Sequence, residues 1–246
     1  MSGAELLLLV GAGLVAGLTG SIAGLASLVS YPALLAVGLG PVTANVTNTV
    51  SLVFSSVGST LGSRPELEGQ AHRVRALAVS AMAGGAVGAT LLLLTPAATF
   101  EKIAPWLIAA ASLAILLRPR VHAEQQARPT ALVAGVFLIA IYGGYFGAAA
   151  GVMALALMLV ATGDTLARSN ALKNVVLGMA NAVAAVGFAL FGSVEWAAVV
   201  PLALGLLAGG RLGPVVVRHS NAQVLRVVIG LAGLALAIKL GADAYR

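Results

Sequence analysis

Two clusters of amide, hydroxyl and ammonium side chains stand out in an otherwise apolar chain: Asn45, Thr47, Asn48 and Ser51, and Asn170, Lys173, Asn174 and Asn181. Amide and hydroxyl groups donate hydrogen bonds without a full charge, and several together replace the hydration shell of an oxyanion. Lys173 adds a compact positive charge on a flexible stem, suited to holding such a ligand and releasing it. Spacings of four and seven put Asn170, Asn174 and Asn181 on one helical face, with Lys173 beside it. The chemistry this suggests is reversible binding of a small anion. The competing readings are interhelical hydrogen bonds, worth about 0.6 kcal/mol each in membranes, and a lysine that anchors a helix end at the interface.

The surroundings of these clusters are membrane-like. Of the 246 residues, 60% are hydrophobic and 9% charged, against about 25% charged in a soluble domain. No charged residue falls between Glu5 and Arg64, or from Pro129 to Gly163, and each stretch exceeds the roughly 20 residues of one span. Polar groups at that depth are tolerated only when satisfied internally, which marks the two clusters for function. The net charge of +6 is dispersed over short loops, with no basic stripe or stacking aromatics for nucleic acid. His72, His122 and His219 fall in loops and Asp164 and Glu195 at span ends, so neither a catalytic dyad nor a metal site is expected, and no cofactor. The absence of cysteine excludes disulfides and thiolate chemistry. The acidic start, with Arg64 as the first basic residue, reads as mature protein rather than a secretory leader.

The elements that position the clusters come in two sets. Gly17, Gly20 and Gly24 recur as Gly144, Gly147 and Gly151 after a shift of 127, and Ala83-Gly84-Gly85-x-x-Gly88 recurs as Ala208-Gly209-Gly210-x-x-Gly213 after 125. The polar clusters themselves correspond, 44–48 with 170–174. The expected architecture is an all-α polytopic protein of two repeats, 1–120 and 129–246, joined by a cytoplasmic linker at 119–128. Each repeat begins with a Gly-rich segment, 6–38 or 130–162, followed by three spans: 41–62, 76–94 and 102–117, then 172–191, 196–217 and 223–241.

If both Gly-rich segments cross fully, eight spans divide the Lys and Arg eight to six. If each enters and leaves on one face as a re-entrant or broken hairpin, eleven of the fourteen are cytoplasmic and only Lys102, Lys239 and Arg246 lie outside. The second division obeys the positive-inside rule. Limbs of about 14 residues rise roughly 21 Å, enough to bring a turn near mid-membrane. Three crossings per half invert the second repeat, an arrangement whose binding sites lie at the repeat interface. Gly20, Gly24, Gly147 and Gly151 then serve close packing or a turn that exposes backbone N–H groups, with Thr19 and Tyr145 beside them.

The sequence Tyr-Gly-Gly-Tyr-Phe-Gly-Ala-Ala-Ala-Gly-Val at 142–152, followed by Arg-Ser-Asn-Ala-Leu-Lys-Asn at 168–174, resembles the second-half signature of the TauE/SafE sulfite exporter family. The first half departs from the family pattern: Gly20-Ser21-Ile22-Ala23-Gly24 and Tyr31-Pro32 stand where a triple glycine ahead of a proline is usual. The resemblance covers essentially the whole chain. It implies a cell-membrane transporter of sulfur-containing anions such as sulfite, thiosulfate, sulfoacetate or other organosulfonates, and no enzyme; an anion channel or a carrier of another small anion is the alternative. Asn45, Thr47, Asn48, Asn170, Lys173, Asn174 and Tyr145 are the residues expected to meet the solute. With six crossings, a topology reporter fused after Arg246 registers outside the cell; a cytoplasmic signal from that fusion contradicts the eleven-to-three assignment.

Overall fold

The computed structural model describes residues 1–117, 129–217 and 223–244. The proposed linker at 119–128 lies outside the described residues, as does Arg246. Every element described is helical: α1 (Gly3–Ala23), α2 (Ser27–Ala36), α3 (Pro41–Gly62), α4 (Arg64–Leu67), α5 (Ala71–Leu94), α6 (Ala97–Leu117), α7 (Pro129–Tyr145), α8 (Ala150–Thr162), α9 (Leu166–Phe191), α10 (Trp196–Val217) and α11 (Gln223–Ala244). Four of them are long and apolar enough to cross a bilayer: Gly3–Ala23, Ala71–Leu94, Leu166–Phe191 and Trp196–Val216. Large apolar side chains such as Leu7, Val79, Leu94, Leu138 and Phe191 are exposed, as a lipid-facing surface requires.

Local chemistry sets the ends of these helices. Ser2 and Glu5 form a reciprocal capping box that starts α1. Pro41 occupies the first turn of α3, and the Thr165 hydroxyl accepts the Arg168 N–H at the start of α9. The two Gly-rich segments are broken helices. The first breaks at Gly24, in the left-handed region at φ 75°, between α1 and α2; the second breaks at Gly147 and Ala149, at φ 78° and 58°, between α7 and α8.

Limb length differs from the sequence-based expectation. Instead of two limbs of about 14 residues, the first segment divides into 21 and 10 residues and the second into 17 and 13. Nothing in Gly3–Ala23 stops the helix begun by the capping box until Gly24, so α1 reaches about 31 Å, a full bilayer core on its own.

Small residues draw the helices together across the two halves of the chain. Gly13 and Gly17 of α1 lie against the α10 backbone at Leu202, Gly205, Leu206 and Gly210, while Gly84 and Gly88 of α5 lie against Phe137 and Ile141 of α7. Gly210 abuts Ser55 of α3, and Gly85 abuts Ala180 of α9. Ser55 and Ala180 stand at the same spacing as the two Ala-Gly-Gly motifs, so the contacts are reciprocal. The breaks themselves meet: a Cβ on Gly24 would overlap the backbone of Gly151, and one on Gly151 the backbone of Gly24.

This contact predicts unequal outcomes for two glycines of positive φ. Gly24→Ala combines left-handed strain with a backbone collision and lowers stability by more than about 2 kcal/mol. Gly38→Ala, at φ 89° with open space around it, loses only about 1 kcal/mol. Thermal unfolding of the purified variants in detergent checks the order.

Candidate functional site

Four segments line a cavity of about 70 Å³, room for a few waters or one small oxyanion, since a single water needs about 10–15 Å³ on this measure. The first break contributes Gly20, Gly24, Ala26 and Ser27, and the second Gly143, Gly147, Ala150 and Gly151. Helix α3 contributes Leu52, Ser55, Ser56 and Ser59, and α9 contributes Lys173, Asn174, Leu177 and Asn181. Larger grooves beside α5 and α7, and between α6 and α11, are apolar and open outward.

Two helices start at this cavity. Helix α2 begins at Ser27 and α8 at Ala150, and neither has a side-chain cap. The first N–H groups of a helix lack internal acceptors and carry the positive end of its dipole. Among the described residues the N–H groups of Ser27 and Gly151 have no acceptor. Two such ends on one small cavity favour an anion.

The same breaks leave the Ser21 and Tyr145 carbonyls at the ends of α1 and α7 without a main-chain donor, and the opposite half of the chain supplies one to each; the Gly20 carbonyl already accepts the Gly24 N–H at 2.8 Å and gains a second donor. Asn170 Nδ2 donates to the Ser21 carbonyl at 2.5 Å, Asn174 Nδ2 to the same oxygen at 3.4 Å, and Lys173 Nζ to the Gly20 carbonyl at 3.1 Å. In mirror fashion Asn45 Nδ2, on α3, donates to the Tyr145 carbonyl of α7 at 2.8 Å.

Lys173 is the basic side chain on the cavity. It is 1% exposed, and among the described residues no Asp or Glu lines the cavity and no carboxylate lies within ion-pair distance of it. A buried ammonium without a counter-charge is costly. The described ion pairs lie elsewhere, where Asp164 pairs with Arg73 and, at 3.8 Å, with Arg168. Among the described residues no group of three or more His, Asp or Glu is placed to hold a metal ion.

The sequence-expected residues divide. Lys173 and Asn174 line the cavity, as do Gly20, Gly24, Gly147 and Gly151. Asn45, Thr47, Asn48, Asn170 and Tyr145 do not line it. The amides of Asn45 and Asn170 are committed to helix-end carbonyls. Thr47 Oγ1 accepts the Glu195 N–H at 3.0 Å, Asn48 bonds Ser27 and Ser30, and the Tyr145 ring packs on Phe100 at 5.9 Å between centroids. Four serines, Ser27, Ser55, Ser56 and Ser59, join the lining instead; a run of hydroxyls along α3 is the signal in the sequence for the last three, and Ser27, on α2, has none.

Broken helices facing each other across a polar cavity, in an apolar bundle, suit solute transfer, and the relatives of the chain carry such names. It is 28% identical over 238 residues to the "Probable membrane transporter protein YfcA" of Escherichia coli K12, covering 94% of this chain and 88% of that protein. It is 28% identical over 237 residues to the "Probable membrane transporter protein ORF9" of Sinorhizobium, covering 94% and 90%. A "Probable membrane transporter protein" of Haemophilus influenzae is 26% identical over 236 residues, covering 94% and 92%. No solved structure matches. The class is therefore a multi-pass membrane transporter. More narrowly, the model of the sulfite exporter TauE/SafE family matches residues 9–240, and the chain belongs to that family.

The carbonyl caps predict a stability effect distinct from any effect on solute. Asn170→Ala removes the 2.5 Å bond to the Ser21 carbonyl and destabilises the protein by about 1–3 kcal/mol, read as a lowered unfolding midpoint in detergent.

Proposed function

We propose that the protein carries a small sulfur-containing anion, such as sulfite, thiosulfate or an organosulfonate, across the membrane by alternating access between two inverted repeats. The observation that carries this reading is the buried Lys173 ammonium, with no carboxylate partner among the described residues, on a cavity where α2 and α8 both begin. An anion supplies the missing counter-charge and the acceptor for the free N–H groups at once. The family's description as sulfite exporters points to sulfur oxyanions, and the cavity's volume of about 70 Å³ suits a compact one.

Inverted repeats are supported by the reciprocity of the contacts, α1 on α10 with α5 on α7, and Gly210 on Ser55 with Gly85 on Ala180. The division into repeats 1–120 and 129–246 is part of the same proposal. The tight glycine contact at the breaks, Gly24 on Gly151, favours a carrier that must move to pass its solute over an open channel.

Reconstituted proteoliposomes test the reading. Wild type takes up or releases radiolabelled sulfite, thiosulfate or methanesulfonate; Lys173→Ala lowers that flux at least about tenfold, as loss of a buried charged contact implies. Asn174→Ala, which removes only a long 3.4 Å bond and one cavity-facing amide, gives a smaller loss of about threefold. Absence of flux for every one of these anions in wild type overturns the proposal.

A further inference from the structure

We propose that Ser27 donates its hydroxyl hydrogen to the transported anion, and that Asn48 fixes that direction by acting through Ser27 rather than by touching the solute. The assignment rests on the anion reading above, and it moves Asn48 from contact residue to positioning residue.

The geometry is a chain of three side chains from α2 and α3. Ser30 Oγ lies 2.5 Å from Asn48 Oδ1, and Asn48 Nδ2 lies 3.2 Å from Ser27 Oγ. Ser30 Oγ has two acceptors in reach for its one hydrogen, the Ala26 carbonyl at 2.9 Å and Asn48 Oδ1 at 2.5 Å; the shorter separation suits an O–H···O bond and is too short for N–H···O at about 2.7–3.2 Å, so the hydrogen goes to Asn48 and the two lengths orient the amide. Its oxygen accepts from Ser30 and its nitrogen donates to Ser27. Asn48 and Ser30 are both 0% exposed, so water does not compete for either bond.

The consequence falls on Ser27. A hydroxyl has one hydrogen; with its oxygen engaged as acceptor by Asn48, the hydrogen must go elsewhere. Among the described residues Ser27 has no acceptor for it. Ser27 lines the cavity and Asn48 does not. The hydrogen therefore faces the same space as Lys173 and the free N–H groups of α2 and α8. The site then offers donors at this wall, which suits an oxyanion lacking an acidic proton, as sulfonates are near neutral pH, over ligands that must themselves donate.

Substitution of Asn48 by its isosteric acid tests the polarity. In Asn48→Asp the carboxylate accepts from both serines, which turns the Ser27 hydrogen away from the cavity. Methanesulfonate transport in proteoliposomes then shows KM raised on the order of tenfold in Ser27→Ala and more in Asn48→Asp, with the maximal rate nearly kept, and Ser27→Thr restores the wild-type KM. Purely structural roles would lower the amount of folded protein and leave KM in place. A flux-independent readout uses the absence of native cysteine. The Ser27→Cys thiol reacts faster with a sulfonate-bearing methanethiosulfonate than with a trimethylammonium-bearing one, and adding Asn48→Asp reverses that order. An unchanged KM in Ser27→Ala or in Asn48→Asp overturns the assignment, as does a thiol at position 27 without charge preference. Wild-type vesicles that move none of these anions overturn the transport reading and the assignment with it, whereas transport with KM unchanged in the variants overturns the assignment alone.

Discussion

A helix that stops inside a membrane protein leaves main-chain carbonyl groups where water cannot reach them, and each must find a donor. Helices α1 and α7 both stop this way, and both are completed by side chains from the other half of the chain: α1 by Asn170 and Asn174 of α9 at the Ser21 carbonyl, and α7 by Asn45 of α3 at the Tyr145 carbonyl. The rest of the structure follows from that exchange. To bring α9 and α3 within reach of the broken ends, α1 must pack closely on α10 and α7 on α5, which is why glycines line those contacts.

Each break also starts a second helix, so stranded carbonyls and free N–H groups lie only a few residues apart. The two kinds of end are sorted in space. The carbonyl ends meet amides and an ammonium, and the N–H ends of α2 and α8 meet the cavity. Lys173 belongs to both surroundings, since its Nζ donates to the Gly20 carbonyl while its side chain lines the cavity. A single flexible side chain thus links the end of α1 to the cavity.

Much of this was legible in the sequence. The repeated Gly-x-x-Gly-x-x-x-Gly and Ala-Gly-Gly motifs marked the breaks and the helix contacts, because only glycine permits such close backbone approach and positive φ together. Helix α3 spans 41–62 as its charge-free run suggested. The lengths of the limbs were not legible: a run of Leu, Val and Gly carries no register, and only Gly24 fixes where α1 ends. Nor did residue type say what Asn45 and Asn170 would donate to. An amide serves a carbonyl and an oxyanion equally well, and only the positions of Ser21 and Tyr145 decide between them. The cavity serines escaped notice because hydroxyls on a membrane helix usually bond back to the preceding turn, as Ser56 and Ser59 do here.

The capping exchange divides the molecule along lines that its sequence does not follow. Because α1 is laid along α10 and tied to α9, while α7 is laid along α5 and tied to α3, each broken helix is mechanically a passenger of the other half. A displacement that kept each half of the chain intact and slid one past the other would tear every cap at once. One that carries α1 with α9 and α10, against α7 with α3 and α5, keeps these carbonyl caps and instead shears the Gly210–Ser55 and Gly85–Ala180 contacts. The helices that these caps tie together are therefore interleaved along the polypeptide rather than gathered in one half of it.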